Sequence, residues 1–319
     1  MTDGANAREG VYPHGDATAP ITIAKERGYD EIVAIIEANE KPREGDAEPD
    51  TEPLTLWHCA GSGNYEMAEK LLRRGADPNA LVPASGDPMF QAYRFDDQRM
   101  IELLERYGGV VTATTAGLFR RTDLARAMFA GEAKYRLDGV GGATLAEQLL
   151  WGAACGGDPE IVRLSLDRID WPRDDRRWFA MLEQPLRIWN RGPSEPYLEC
   201  FGLLLERADP NLRGREQDGF QFGLTILHSV AGSRAHVKPE ERLTFVTMLL
   251  DAGARLDLRD HLLESTPLGW SCRWGHIELV DLFLTRGADP IEADAPPWAT
   301  PLAWAEKMGH AAIAQKLRQ

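Results

Sequence analysis

The sequence predicts an all-α solenoid of stacked helix-turn-helix units joined by short turns, and three observations carry that prediction. One phrase recurs: Ser265-Thr266-Pro267-Leu268-Gly269-Trp270, then Gly275-His276, then Arg286-Gly287-Ala288-Asp289-Pro290. It returns as Thr300-Pro301-Leu302-Ala303-Trp304-Ala305 with Gly309-His310, and earlier as Gly63-Asn64 with Arg74-Gly75-Ala76-Asp77-Pro78-Asn79-Ala80. The mid-phrase glycine keeps its spacing: Gly28 to Gly63 is 35 residues, Gly63 to Asp96 (a departure) is 33, and Gly275 to Gly309 is 34. Between these marks the apolar residues Leu279, Val280, Leu282 and Phe283 fall on one face of a 3.6-residue period.

Each part of the phrase has a physical role. Thr266 stands where a helix needs an N-cap, and Pro267 takes the first helical position, where a missing N–H costs nothing. Leu268 begins a short apolar helix that Gly275 ends by entering a left-handed turn. A second helix follows, Gly287 closes it, and Asp289-Pro290 turns toward the next unit. Two such helices cannot bury their apolar faces alone, whereas stacked copies can.

A Thr-Pro-Leu opening, a mid-unit Gly-His and a Gly-Ala-Asp-Pro-Asn close resemble the ankyrin repeat, whose period is about 33 residues. The resemblance runs over nearly the whole chain as about nine units in a single array, 1–319. It is strong at 50–110 and 220–319 and weak at 110–150 and 170–200. The first unit is Ala19-Pro20-Ile21-Thr22-Ile23-Ala24 with Ile32-Val33-Ala34-Ile35-Ile36, and the second opens at Leu54-Thr55-Leu56-Trp57. The third runs from Asp87-Pro88-Met89 to Gly108-Gly109. The fourth, roughly 112–133, is degenerate and short, so 110–150 is expected to be the weak joint. The fifth holds Leu150-Trp151-Gly152-Ala153-Ala154 and Ile161-Val162. The sixth, around 178–211, keeps only its end. The seventh opens at Thr225-Ile226-Leu227-His228, and the last two are the phrases quoted first.

Three departures interrupt the array. The loop 39–53 carries Glu40, Glu44, Asp46, Glu48, Asp50 and Glu52 among three prolines, which predicts a flexible acidic segment. An insertion near 170–200 mixes Trp171, Trp178, Trp189 and Tyr197 with arginines, and reads as a cap over core beneath a long loop or as a binding patch. A third, 232–241, falls between the two helices of the seventh unit. At the start, Gly4-Ala5-Asn6-Ala7 reads like the close of a unit with no helices before it. An uncapped first unit is therefore expected: the chain continues upstream, its first residues fold over that face, or two chains meet there.

Composition narrows the function. The net charge is −14, against nucleic acid or an anionic membrane as ligand. Four cysteines, Cys59, Cys155, Cys200 and Cys272, show no metal spacing and read as reduced buried thiols. No signal peptide and no 18-residue apolar stretch is present, so a cytoplasmic protein is expected. Neither Gly-x-Ser-x-Gly nor a phosphate-cradling glycine loop occurs, and no cofactor is implied. The resemblance gives His228 the family's loop-tying role. His58 is offset by one from that slot, which Trp57 fills.

The expected function is that of a non-catalytic scaffold for another protein. The alternative is a structural, self-associating repeat stacked end to end through its N-terminal unit. The resemblance implies a concave groove lined by the turn tips and by the two residues before each mid-unit Gly. Slot by slot these include Arg94 and Phe95, Arg273 and Trp274, and Lys307 and Met308. Phe95 and Trp274 stand out as large aromatics beside arginines, the residue types enriched at binding hot spots. Trp270 and Trp304 occupy inward-facing slots and read as core.

Overall fold

The computed structural model describes residues 21, 24, 29–39, 52–83, 85–187, 194–214, 223–232 and 237–319. Among these the chain forms seventeen α-helices, one 3-10 turn and no strand. It divides into two compact units, Met1–Val110 and Val111–Gln319.

In the first unit, α1 is Asp30–Asn39, α2 Glu52–Ser62, α3 Tyr65–Arg73, α4 Pro88–Arg94 and α5 Gln98–Arg106. In the second, α6 is Ala113–Leu118, α7 Thr122–Ala130, α8 Leu145–Gly156, α9 Pro159–Leu166, α10 Arg177–Glu183 and α11 Glu195–Arg207. It continues with α12 Ile226–Ala231, α13 Pro239–Asp251, α14 Pro267–Trp274, α15 Ile277–Thr285, α16 Pro301–Lys307 and α17 Ala311–Leu317. From α2 onward the helices pair in chain order, and like stacks on like. In the first unit α2 lies on α4 and α3 on α5. In the second, α6, α8, α10, α12, α14 and α16 form one layer and α7, α9, α11, α13, α15 and α17 the other. The core between the layers holds Leu149, Leu150, Ile161, Phe201, Phe245 and Phe283, with Phe201 edge-on to Phe245 at 5.0 Å. Cys59, Cys155, Cys200 and Cys272 are buried free thiols.

The helix ends follow the sequence reading. The Thr266 hydroxyl accepts the Gly269 N–H at 3.2 Å, the Thr300 hydroxyl accepts the Ala303 N–H at 3.2 Å, and Asp87 accepts the Phe90 N–H at 2.7 Å. Each of these caps precedes a proline at the helix start. Gly63, Gly275 and Gly309 turn left-handed between paired helices, with φ of 67°, 76° and 77°. Asp96 keeps the same backbone in its unit at φ 52°, so the departure from glycine is one of residue and not of shape.

Several expectations change in detail. The fourth unit, 112–133, is short but complete, since α6 and α7 pair across Arg120 at φ 55°. A left-handed arginine costs about 1–2 kcal/mol. Its side chain returns some of that, donating from Nε to the Gly156 carbonyl at 2.6 Å and from a terminal nitrogen to Tyr197 Oη at 3.3 Å. In the stretch expected to be weak, α6 and α8 meet backbone against backbone. A Cβ on Gly152 would lie 2.2 Å from the Thr114 carbonyl oxygen, and one on Gly156 2.2 Å from that of Leu118.

The region 170–200 is largely ordered structure: α10, the turn Gln184–Leu186 and the start of α11 lie within it. Trp178 and Tyr197 are fully buried. The Arg177 guanidinium stacks on Trp171 at 4.1 Å and pairs with Glu147 at 2.9 Å. Glu147 closes the capping box of α8 with Thr144; burial is the largest single influence and raises its pKa, but backbone N–H donors, Arg177 and the Thr144 hydroxyl together outweigh it and hold the carboxyl below the usual range. Here the aromatics cover a core. Trp189 lies outside the described residues. So do 1–20, with the expected uncapped opening, 40–51 of the acidic loop, and 233–236 of the third departure. Helix α2 begins at Glu52, inside the stretch read as loop, and α13 begins at Pro239, inside 232–241.

Candidate functional site

The site is built from the ends of two neighbouring helices in the second unit. Helix α14 closes with Arg273 and Trp274 before Gly275, and α16 closes with Lys307 before its C-cap Met308 and Gly309. The left-handed glycines bend the chain away there and leave those four side chains at the exposed rim. One turn back, Trp304 is buried as the sequence implied. Its indole N–H donates to Ser265 Oγ at 2.7 Å, which fixes the ring plane. The Arg273 guanidinium stands 4.5 Å from the Trp304 ring centre and the Lys307 ammonium 5.0 Å from it. Such cation–ring contacts contribute about 0.5–2 kcal/mol each.

The rim is apolar between its cations. Trp274 is 41% exposed and Met308 43%. Arg273 lies 5.7 Å from the Trp274 ring, one of its terminal nitrogens is 3.9 Å from Met308 Sδ, and its carbonyl accepts from His310 Nε2 at 3.2 Å. Trp298 adds a third exposed apolar side chain, edge-on to Trp304 at 6.2 Å and 49% exposed. It sits in the turn Pro296-Pro297-Trp298. The sequence reading assigned turn tips to the groove but named no residue there, so the two prolines before an aromatic were the available signal. Lys316 pairs with Asp281 and Arg318 with Glu306. Arg273 and Lys307 have no carboxylate partner among the described residues; their neighbours are rings and a thioether.

The turns below this rim are rigidly tied. Buried Asp260 accepts N–H bonds from Leu262, Leu263, Ser265 and the Trp270 indole. Glu292 is buried at φ 47°, where its carboxylate meets Arg259 and the Thr266 hydroxyl, each at 2.5 Å. Burial, the largest influence, raises the Glu292 pKa. His228 has no exposed surface: the Thr225 N–H donates to its Nδ1 at 3.2 Å, so its proton sits on Nε2, which donates to the Ser265 carbonyl at 3.1 Å. Burial pushes its pKa well down, and the imidazole is a neutral tie between adjacent turns. Trp57 in the corresponding slot of the first unit donates its indole N–H to the Ser85 carbonyl at 3.0 Å.

Arg94 and Phe95 end α4 in the first unit. Phe95 is 57% exposed, with Arg94 5.5 Å from its ring centre, and one ring edge lies over Gly61, 3.7 Å from where a Cβ would stand. The structure therefore gathers Arg273, Trp274, Lys307 and Met308 into one cluster and makes Arg94 with Phe95 a separate pair. Among the described residues no group of three or more His, Cys, Asp or Glu side chains is placed to hold a metal. No helix there is long and apolar enough to cross a membrane.

Stacked helix pairs joined by hydrogen-bonded turns define a helical repeat architecture. The sequence pattern of the ankyrin repeat matches residues 54–81 and 264–295, and the chain carries ankyrin repeats at these two places. Ankyrin repeats are general protein–protein interaction modules. The chain is 37% identical over 79 residues, a quarter of its length, to human ankyrin repeat domain-containing protein 63, and equally so to the mouse protein. It spans 20% of the length of each. A mouse palmitoyltransferase, ZDHHC13, is 43% identical over 53 residues, which are 8% of that enzyme.

Proposed function

We propose that the chain is a non-catalytic scaffold that binds another protein through the rim formed by Arg273, Trp274, Trp298, Lys307 and Met308. The supporting observation is that cluster: exposed aromatic and thioether surface beside two cations without carboxylate partners among the described residues, above turns anchored by the buried Asp260 and Glu292. Aromatic and arginine side chains in such settings carry most of the energy of protein interfaces. Capture from the native host with wild-type and Trp274→Ala baits, quantified by mass spectrometry, tests it. Proteins retained by wild type and lost by Trp274→Ala are expected, with Leu81→Ala, an exposed turn residue of the first unit, as control. A set of captured proteins indifferent to Trp274 refutes the assignment.

A second reading, self-association through the first unit, rests on α1. There Tyr29, Ile32 and Ile35 are exposed on or beside the helix. Light scattering across concentration decides it: a mass that stays at one chain ends that reading.

A further inference from the structure

We propose that the partner segment held by this rim is acidic and extended, with two carboxylates at i and i+2 and an aromatic or aliphatic side chain two residues before or after them. The inference rests on the recognition reading above and narrows it to a chemistry.

Charge complementarity carries the argument. The chain bears 50 acidic and 36 basic residues, and several of its exposed arginines are paired with carboxylates: Arg126 with Asp123 and Glu160, Arg163 with Glu199, Arg255 with Asp257, Arg286 with Asp251. Arg273 and Lys307 instead both stand against the Trp304 ring, with no carboxylate partner among the described residues. An aromatic ring holds these cations without neutralising them, so their charge stays available to an anion. Both groups stand within 5.0 Å of the same ring centre, so they are about 10 Å apart at most. In an extended chain, alternate side chains project from one face about 7 Å apart, which fits two carboxylates onto two cations. The next residue on that face then reaches Trp274 at one end or Met308 at the other. A polyanion such as nucleic acid or a lipid surface meets the repulsion of the whole chain at −14. A short segment with two carboxylates feels mainly its own pairs, because charges beyond about 8 Å are screened at physiological salt.

The test selects random twelve-residue peptides by display on the full chain, then measures the leading peptide, fluorescein-labelled, by anisotropy. Selected sequences are expected to carry the acidic pair beside an apolar residue. Kd should rise at least tenfold with Arg273→Gln/Lys307→Gln, and at least tenfold when the peptide's two carboxylates become amides. Making both changes should weaken binding little more than either alone. Circular dichroism and melting check the fold; if Arg273→Gln lowers the melting temperature, exposed Lys307→Gln is read by itself. Neutral or basic selected peptides, or affinity unmoved by these changes, overturn the inference. Sensitivity to Trp274→Ala and Met308→Ala without sensitivity to the charge changes leaves the recognition reading standing and removes the acidic one. No enriched peptide, or one insensitive to all four side chains, removes both. Labelled single-stranded DNA or phosphatidylserine vesicles binding this rim more tightly than the peptide also overturns it.

Discussion

Replacing Gly152 by Ala should destabilise the second unit, although the same substitution in most helix interiors stabilises. Relief of glycine's helix penalty is worth about 1 kcal/mol. Against that, the new methyl would meet the Thr114 carbonyl oxygen at 2.2 Å, the Leu118 nitrogen at 2.8 Å and the Gly117 Cα at 3.1 Å. All three are backbone atoms of α6, which cannot rotate aside as a side chain does. Restoring contact distance means moving α6 and α8 apart by about 1 Å. Overpacking of this kind costs about 1–3 kcal/mol and occasionally more, so the net loss should reach about 2 kcal/mol. Gly202 in α11 is the control, since its Cβ would meet only the flexible end of Met248, at 3.3 Å. Gly202→Ala should therefore stabilise by up to about 1 kcal/mol. Urea unfolding followed by circular dichroism reads both signs, and hydrogen exchange in 113–118 and 145–156 localises the first. If Gly152→Ala matches or exceeds wild type, or both variants move the same way, the close backbone packing is not what holds this joint. The wild-type exchange pattern also decides whether 110–150 is weaker than 220–319.

Trp274→Ala should weaken partner binding by about 2 kcal/mol with little change in melting temperature, because the side chain is substantially exposed; a collapse of stability would make it core. Thr266→Ala should cost about 1–2 kcal/mol in thermal unfolding, since it removes the cap on Gly269 and the hydroxyl facing Glu292, while Thr266→Ser retains both and should cost less. Between about pH 6.5 and 5, stability should fall as pH falls. Burial lowers the folded-state pKa of His228, and burial with Arg242 lowers that of His276, so the unfolded chain takes up protons that the folded chain refuses. Asp260 beside His228 opposes that shift and Arg213 adds to it. Urea midpoints at the two pH values check this, and a flat profile would show that neither imidazole is held neutral.

The repeated phrase by itself determined the architecture, because capping, helix start and left-handed turn are local requirements met within a few residues. Thr266, Pro267 and Gly275 state a helix and its end wherever they occur, and stacking follows from apolar faces that a single pair cannot cover. The slots before Gly275 and Gly309 likewise named Arg273, Trp274, Lys307 and Met308 as neighbours at helix ends. What those residues do to one another was decided only by tertiary structure. That two cations 34 positions apart would both stand against the Trp304 ring depends on how α14 and α16 stack. That Trp298 would stand edge-on to the same ring depends on the path of a proline turn. The degenerate fourth unit shows the same division. Its sequence lost the mid-unit glycine, yet Arg120 adopts the left-handed turn because Gly156 and Tyr197, far along the chain, hold its guanidinium. The role of glycines 117, 152 and 156 is visible only where the two backbones they allow together are in contact. Local conformational preference is written in short spacings, whereas close approach is a property of pairs of distant segments and belongs to the packed fold.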